Sequence, residues 1–294
     1  MMRKGLIRND LLLLLASVIW GFAFVAQRVG MQYIGPFTFN AIRFAVGGLV
    51  LFPVISYLQK SNPQEVDTII VKPHFVLKYG SLLLGLVLFI ASSFQQVGIV
   101  FTTAGNAGFI TGLYVIFVPL FGLLWGKKTG LPLWIGAVLA IAGLFLLSFK
   151  RDLSLSKGDL LVLAGAFFWG IHVSLIGYLS PKLNALKLAR NQFLICSIMS
   201  MIVALICEHI CITSLCDALI PLLYGGFLSV AVAFTIQVIA QKKTHPSHAA
   251  IILNLEAVFA AFGGWIILHE TMTPRAMGGC LLMICGMLYA QLKK

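Results

Sequence analysis

The chain has 294 residues, 60% of them hydrophobic and 10% charged, with 21 Lys and Arg against 9 Asp and Glu for a formal net charge of +12. A soluble domain carries about 25% charged residues, and a mean hydropathy of +1.00 leaves too few polar side chains to cover a water-facing surface. That excludes a soluble enzyme, a secreted disulfide scaffold and a disordered chain. No nucleic-acid partner is expected either, because the basic residues fall in short gaps between apolar runs, where the positive-inside bias of membrane proteins places them.

A hydrocarbon core about 30 Å thick needs about 20 helical residues. Apolar runs of that length, ended by charge or proline, predict an all-α integral membrane protein with ten transmembrane helices, at 10–29, 37–58, 76–98, 104–126, 132–149, 159–179, 187–207, 217–240, 247–268 and 274–291. The first run follows Arg3, Lys4 and Arg8, as the apolar part of a cleaved leader would. An internal repeat argues that it is instead part of the fold. At an offset of 149, Asp10, Trp20 and Gly21 coincide with Asp159, Trp169 and Gly170. At an offset of 142, Ala107, Phe117, Gly122, Thr129, Pro132 and Gly136 coincide with Ala249, Phe259, Gly264, Thr271, Pro274 and Gly278. The expectation is two five-helix repeats, residues 1–150 and 151–294. An odd number of crossings inverts the second relative to the first, the arrangement of secondary transporters whose site lies between the repeats. With the N-terminus inside, fifteen Lys and Arg fall on the cytoplasmic side and five outside, with Arg43 in the membrane, so both termini are expected in the cytoplasm.

Nine acidic residues leave little from which to build a catalytic site, and the chain has no DDxxD, HExxH, GxSxG or Walker pattern. No catalytic residue, cofactor or metal site is expected. Asp10 and Asp159 read as polar N-terminal ends of the first and sixth helices, and Glu208 as the end of the seventh. The six cysteines lie mostly inside apolar runs and read as small buried hydrophobes. Cys207, His209, Cys211 and Cys216 form the one cluster that could hold a metal or a disulfide, but their spacing fits no recurrent zinc pattern.

Polar residues at membrane depth face a cavity or another helix. Asn40, Arg43 and Gly47 share one face of the second helix. Ser92 and Gln96 share a face of the third, and an offset of 145 maps Ser92 and Gln96 onto Gln237 and Gln241 of the eighth. These stripes line a shared lumen or join helices by hydrogen bonds. Trp20, with Ser17, Phe24 and Gln27, and Trp169, with His172, place an aromatic and a polar group on matching helices, about mid-membrane for Trp20. Gly105, Gly108 and Gly112 suggest close helix approach along the fourth helix. Asn106, Thr111 and Tyr114 lie among them, and Pro119 is expected to kink that helix. The expected substrate cavity is thus Trp20, Asn40, Arg43, Ser92, Gln96, Tyr114, Trp169, His172, Gln237, Gln241 and Glu256. Glu256 and Arg43 are the ionisable residues placed most firmly in the bilayer, where an unpaired charge costs about 2.5–3.5 kcal/mol. Glu256 is therefore expected either to pair with Arg43, fixing helix packing, or to face the cavity and exchange a proton.

Trp20-Gly21 and Trp169-Gly170, Ala41-Ile42-Arg43-Phe44, and the stretch from Leu255-Glu256-Ala257 through His269-Glu270 to Gly278 together give a specific pattern over nearly the whole chain. In it the chain resembles the drug/metabolite transporter superfamily, in its EamA-type ten-helix branch. Two positions depart from the family pattern: Lys128 stands where the first repeat commonly has the Glu that Glu270 supplies in the second, and Ala257 stands where a proline often follows the equivalent of Glu256. The resemblance implies transport of small organic solutes, often export of amino acids, other metabolites or drugs, from a cavity between the halves, in a bacterial-type plasma membrane. A membrane-embedded lipid-modifying enzyme and an organellar-type nucleotide-sugar exchanger are the alternatives. The partners implied are a small-molecule substrate and the lipid bilayer, with no oligomeric state indicated.

Overall fold

The computed structural model describes residues 2–61, 73–124, 130–148 and 156–292. The described residues form helices α1 (Met2–Gly30), α2 (Pro36–Ser61), α3 (Pro73–Gly98), α4 (Ala104–Gly112), α5 (Tyr114–Leu124), α6 (Leu131–Ser148), α7 (Lys157–Leu179), α8 (Ala185–Cys207), α9 (Ile212–Asp217) and α10 (Leu219–Leu223). A π-helical stretch (Tyr224–Phe234) follows, then α11 (Thr235–Ala240), α12 (Pro246–Leu253), α13 (Glu256–Leu268) and α14 (Pro274–Leu292). Eight continuous or gently broken stretches are long and apolar enough to cross a membrane, and Leu131–Leu146 and Pro274–Ala290 are shorter apolar helices. Backbone groups in hydrocarbon must be satisfied within the segment, which is why apolar runs of this length become helices. The outer surface carries large apolar side chains such as Leu49, Leu83, Leu124, Ile206, Ile220 and Leu281, which suits lipid and not water.

The helices pack in a definite set of partners. α2 lies along α8, and α6 along α14; α3 packs on α7, as the π-helical stretch packs on α1; α13 packs on α1, as α5 packs on α7. Glycines permit the closest approaches. A side chain at Gly21 of α1 would strike Phe259 and the Glu256 carbonyl of α13, and one at Gly170 of α7 would strike Phe117 of α5. The residues that mark the repeat, Gly21 with Gly170 and Phe117 with Phe259, are thus the residues that touch.

Acidic side chains cap helices belonging to other segments. The Glu208 carboxylate, just past α8, accepts hydrogen bonds from the Phe37 and Thr38 amides (both 2.8 Å) and the Thr38 hydroxyl (2.6 Å), satisfying the N-terminus of α2. Glu270 accepts from the Ala104 and Gly105 amides at the start of α4 (3.0 and 3.2 Å). Arg28 donates to the Ile99 and Val100 carbonyls beyond α3. Lys128 lies outside the described residues.

Two expectations are corrected here. Asp10 is not a helix end, because α1 begins at Met2: the run of charge that ends the apolar stretch is itself helical, and Asp10 Oδ1 meets His248 Nε2 of α12 at 2.9 Å. Asp159 does sit in a first turn, in a capping box with Ser156, and also accepts from Thr102 (2.7 Å). Cys207, Cys211, Cys216 and Cys285 are exposed rather than buried, since an apolar run in a membrane protein has an outward face; only Cys196 and Cys280 are buried, and all six are free. Among the described residues no group of three or more His, Cys, Asp or Glu gathers as a metal site. Pro119, expected to kink the fourth apolar run, lies inside α5, and the break in that run falls elsewhere. The helix breaks at Leu113, and the ninth run breaks at Asn254 and Leu255, the position 142 residues on, where Ala261 stands in place of Pro119.

Candidate functional site

The two breaks face a cavity of about 450 Å³ of space free of protein atoms, its open side included. Tyr114 opens α5 and Glu256 opens α13, so residues related by the offset of 142 begin the two half-helices, and both line the cavity. Both breaks are mild: Leu113 and Leu255 keep right-handed helical dihedrals, and amides beyond them bond back across the break, Ile116 to the Leu113 carbonyl (3.0 Å) and Ala257 to the Asn254 carbonyl (3.1 Å).

The walls are aromatic and rigid. Trp20 and Trp169 line the cavity with Phe234 between them, the Phe234 ring 4.6 Å from Trp20 and 5.8 Å from Trp169, centroid to centroid. Both indole N–H groups are engaged: Trp20 Nε1 donates to the Ser229 carbonyl (3.2 Å) and Trp169 Nε1 to Gln95 Oε1 (2.7 Å). Gln95 Nε2 in turn donates to Gln27 Oε1 (2.9 Å), so the chain Gln27–Gln95–Trp169 ties α1, α3 and α7 together along the wall. The Ser229 carbonyl lies in the π-helical stretch, whose wider hydrogen-bond register is a frequent mark of functional sites. Phe24 and Val173, related by the offset of 149, also face the space.

Arg43 enters from α2. Its Nε donates to Asn40 Oδ1 (3.0 Å), and its guanidinium carbon lies 4.8 Å from the centre of the Phe44 ring and 5.6 Å from that of Phe39. Asn40 is itself anchored, donating through Nδ2 to the Ser92 carbonyl (3.2 Å). Glu256 is 4% exposed and has the Tyr114 hydroxyl as its neighbour. The expected Arg43–Glu256 ion pair is corrected: both residues line the cavity, yet no ion pair joins them among the described residues. Asn40 and the two phenylalanines hold Arg43 against α2, while Glu256 stands at the mouth of α13 beside Tyr114. The Thr111 hydroxyl is buried and has no hydrogen-bond partner among the described residues, while the Tyr114 hydroxyl lies against the Glu256 carboxyl.

Trp20, Arg43, Tyr114, Trp169 and Glu256 are thus brought together around one space. Asn40, Ser92, Gln96, His172, Gln237 and Gln241 are not among its lining residues. Asn40 and Ser92 stand behind Arg43. His172 Nε2 lies 2.8 Å from Gln192 Oε1, and the His172 ring packs edge-on against Trp169. Gln241 Nε2 donates to the Val173 carbonyl (3.0 Å). Gln96 is fully buried, and the amide that reaches the cavity is its neighbour Gln95. Successive helical residues point about 100° apart, so of two adjacent amides only one can face the space. Phe24, Gln27 and Thr111 were noted in the sequence but not placed in the cavity, and Gln95, Val173, Ser229 and Phe234 were missed. The doublet Gln95-Gln96 was the one available signal; Ser229 and Phe234 carry none, since their placement depends on the π-helical register.

An EamA-like transporter family model matches residues 7–149 and again residues 156–290. An uncharacterised transporter of Archaeoglobus fulgidus is 30% identical over 97% of this chain and 86% of its own length. A Salmonella typhimurium protein named a probable amino-acid metabolite efflux pump is 25% identical over 95% of this chain and 93% of its own. A crystal structure sharing the fold superposes with a TM-score of 0.76 at 17% identity over 97% of both chains. The helices suited to crossing a bilayer and the family match through both halves lead to one conclusion: the chain is a multi-pass membrane protein that belongs to the EamA-like transporter family.

Proposed function

We propose that the chain is a secondary transporter that moves small organic metabolites across a plasma membrane by alternating access, with ten crossings arranged as two inverted five-helix repeats and both termini in the cytoplasm. The observation that carries this reading is the cavity. It is buried at the level of two helix breaks and takes its walls from both halves of the chain, Trp20, Arg43 and Tyr114 from one, Trp169, Phe234 and Glu256 from the other. An inverted repeat is supported by packing that maps onto itself when the halves are exchanged, down to Gly21 on Phe259 and Gly170 on Phe117. It is supported also by Asp10 meeting α12 while Asp159 meets Thr102 just before α4. Alternating access needs such a pair of equivalent bundles that can rock about a fixed site. Outward movement of amino-acid-like solutes follows the Salmonella typhimurium relative's name. The families whose relatives are named transporters give no reason to prefer an enzyme acting on lipid.

The test is flux into and out of liposomes containing the purified protein, across a panel of amino acids, nucleosides and cationic drugs. Saturable flux of at least one solute, reduced by Trp169→Ala, is expected. Absence of flux for the whole panel from folded, correctly reconstituted protein overturns the reading.

A further inference from the structure

Two polar contacts between the halves occupy corresponding places at opposite ends of the bundle. At one end Asp159, in the first turn of α7, accepts from the Thr102 hydroxyl just before α4 (2.7 Å). At the other end Asp10 of α1 meets Nε2 of His248, in the first turn of α12 (2.9 Å). The acids are the same residue in the two repeats, but their partners differ in kind. A hydroxyl donor brings no titration to its contact, whereas imidazole is the side chain whose ordinary charge change falls between pH 5 and 8. His248 is buried, Asp10 is partly exposed, and the other ring nitrogen, Nδ1, is buried without a hydrogen-bond partner among the described residues. No carbonyl holds a proton on Nδ1 and no donor keeps one off, so the charge of the ring is left to Asp10 and the medium. The elements packed against α12 are α1, α5, α6, α7 and α14. At the His248 end they carry Arg8 and Asp10 of α1, with Arg3 and Lys4 nearer its start, Tyr178 of α7, and Cys285 and Tyr289 of α14; the described residues of α5 and α6 carry no ionisable group there, and the exposed His245 precedes α12 itself. Arg8 is two residues from Asp10 and so lies on another face of α1. The cavity keeps away from this end. Gln27 and Gln95 line it three residues from the outer ends of α1 and α3, at Gly30 and Gly98, while its lining on α1 stops at Trp20, about 15 Å along the helix from Asp10. Leu13, Ala16 and Ser17 in that interval are fully buried.

We propose that Asp10 and His248 form a proton-dependent latch between the halves, which holds their cytoplasmic ends together and opposes opening toward the cytoplasm when that side is acid. The proposal rests on the transporter reading and its topology, and adds a control on the conformational step. With the ring protonated the contact is an ion pair carried by a hydrogen bond; with the ring neutral it is a hydrogen bond with one charged partner. The contact therefore strengthens as pH falls through the titration of the ring and weakens as pH rises beyond it. Opening toward the cytoplasm requires α1 and α12 to part at this end, because the contact lies on the far side of the packed residues that separate the cavity from it. The corresponding outer contact, with Thr102 in place of a histidine, has no such dependence. Exchange of the halves thus gives two latches in matching positions, of which only the cytoplasmic one responds to pH.

Two measurements test the latch, and neither needs a transported solute. Thermal unfolding in detergent of the wild type, Asp10→Asn, His248→Gln and the double variant, at about pH 6 and about pH 8, gives the coupling between the two residues on either side of an ordinary imidazole titration. The coupling is expected to be larger at the lower pH; equal coupling at both overturns the proposal. For the conformational step, Ser17→Cys protein in inside-out vesicles is labelled with an impermeant maleimide, the outer medium setting the pH of the cytoplasmic face and the lumen buffered independently. Labelling at residue 17, read by peptide mass, is compared with the same protein carrying His248→Gln at the same pH, which cancels the titration of the thiol itself. At about pH 6 residue 17 is expected to label about threefold or more slowly with His248 in place than with Gln, and at about pH 8 the two rates should approach each other. His245→Gln is expected to leave that difference unchanged. Asp10→Asn serves as the reference if His248→Gln does not fold. The same ratio at both pH values, or a ratio that follows the pH of the lumen instead, overturns the proposal. Flux in liposomes together with pH-independent labelling would refute the latch while the transporter reading stands, and pH-dependent labelling without flux of any solute would do the reverse.

Discussion

Replacing Glu256 by Gln separates two accounts of the buried charges by the size of the effect. Where a buried ion pair loses one partner, the other is left uncompensated, at a cost of about 3–5 kcal/mol. Here Glu256 and Arg43 are not paired, and Arg43 keeps its bond to Asn40 and its two aromatic neighbours whatever stands at residue 256. The change then forfeits at most the first-turn term of an acid at a helix N-terminus, about 0.3–1 kcal/mol, it relieves the burial of a carboxylate without a cation beside it, and the contact with Tyr114 is kept by an amide of the same length. The expected loss in the empty protein is therefore no more than about 1 kcal/mol, or about 2–4 °C in Tm, and the variant is expected to be as stable as the wild type or more so, against a loss of about 6–20 °C for a broken pair. Thermal unfolding in detergent of the wild type, Glu256→Gln, Arg43→Gln and the double variant gives the coupling directly. A coupling below about 0.5 kcal/mol is expected. A coupling of 2 kcal/mol or more, or a Tm drop above about 6 °C for Glu256→Gln alone, would refute the separation of the two groups.

The acidic caps give a second expectation. Glu208→Ala removes three hydrogen bonds at the start of α2 and Glu270→Ala two at the start of α4, so each should destabilise by about 1–3 kcal/mol, Glu208 the more, as read by thermal unfolding. Gly21→Ala and Gly170→Ala force atoms into Phe259 and Phe117 and should each cost about 1–3 kcal/mol, whereas Gly278→Ala meets nothing within 4 Å and should be within about 0.5 kcal/mol of wild type; equal effects at all three would contradict the packing. The Cys211 thiol is exposed and held below its ordinary range by the Thr213 hydroxyl, 2.9 Å away, and by nearby backbone amides. Its alkylation by iodoacetamide should therefore reach half-maximal rate at lower pH than in Thr213→Ala, because the thiolate is the reacting form. In intact cells an impermeant maleimide should label Cys211 but reach Lys243→Cys only after permeabilisation; the reverse pattern would invert the proposed topology.

The helices were legible because lipid imposes a single rule, an uninterrupted apolar run of fixed length, that any composition count detects. Their packing partners were half legible. Gly21 with Gly170 and Phe117 with Phe259 stood out as repeats, but only the folded chain shows that each glycine receives the other repeat's matching phenylalanine. The cavity was the least legible part. Helical periodicity places Ser92 and Gln96 on one face correctly, yet it does not say which face meets the space, and the choice fell on the wrong member of the Gln95-Gln96 doublet. The Arg43–Glu256 pair failed for a related reason. Depth along the membrane normal is readable from residue counts, but azimuth about each helix axis is not, and Asn40, one turn from Arg43, was the nearer partner. Asp10 failed differently, since charge marks where a membrane ends and not where a helix does.

The positions that kept their identity between the halves and those that did not divide by task. Trp20 and Trp169, Gly21 and Gly170, Phe44 and Phe193, and Phe117 and Phe259 are the same in both, and all are rings or the glycines that receive them. The groups that could read a charge differ: at an offset of 149, Arg43 faces Gln192 and Gln27 faces Ile176, and at an offset of 142, Tyr114 faces Glu256 and Thr111 faces Leu253. Each polar group is therefore presented once. Alike surfaces pack in matching ways in the two halves, while unlike groups at matching positions make the cavity itself asymmetric. A two-fold site built of identical groups would hold a ligand equally well in either of two orientations. With Arg43 contributed by the first half only and Glu256 by the second, the two ionisable side chains of the cavity come from opposite halves of the chain and have no counterpart of the same kind.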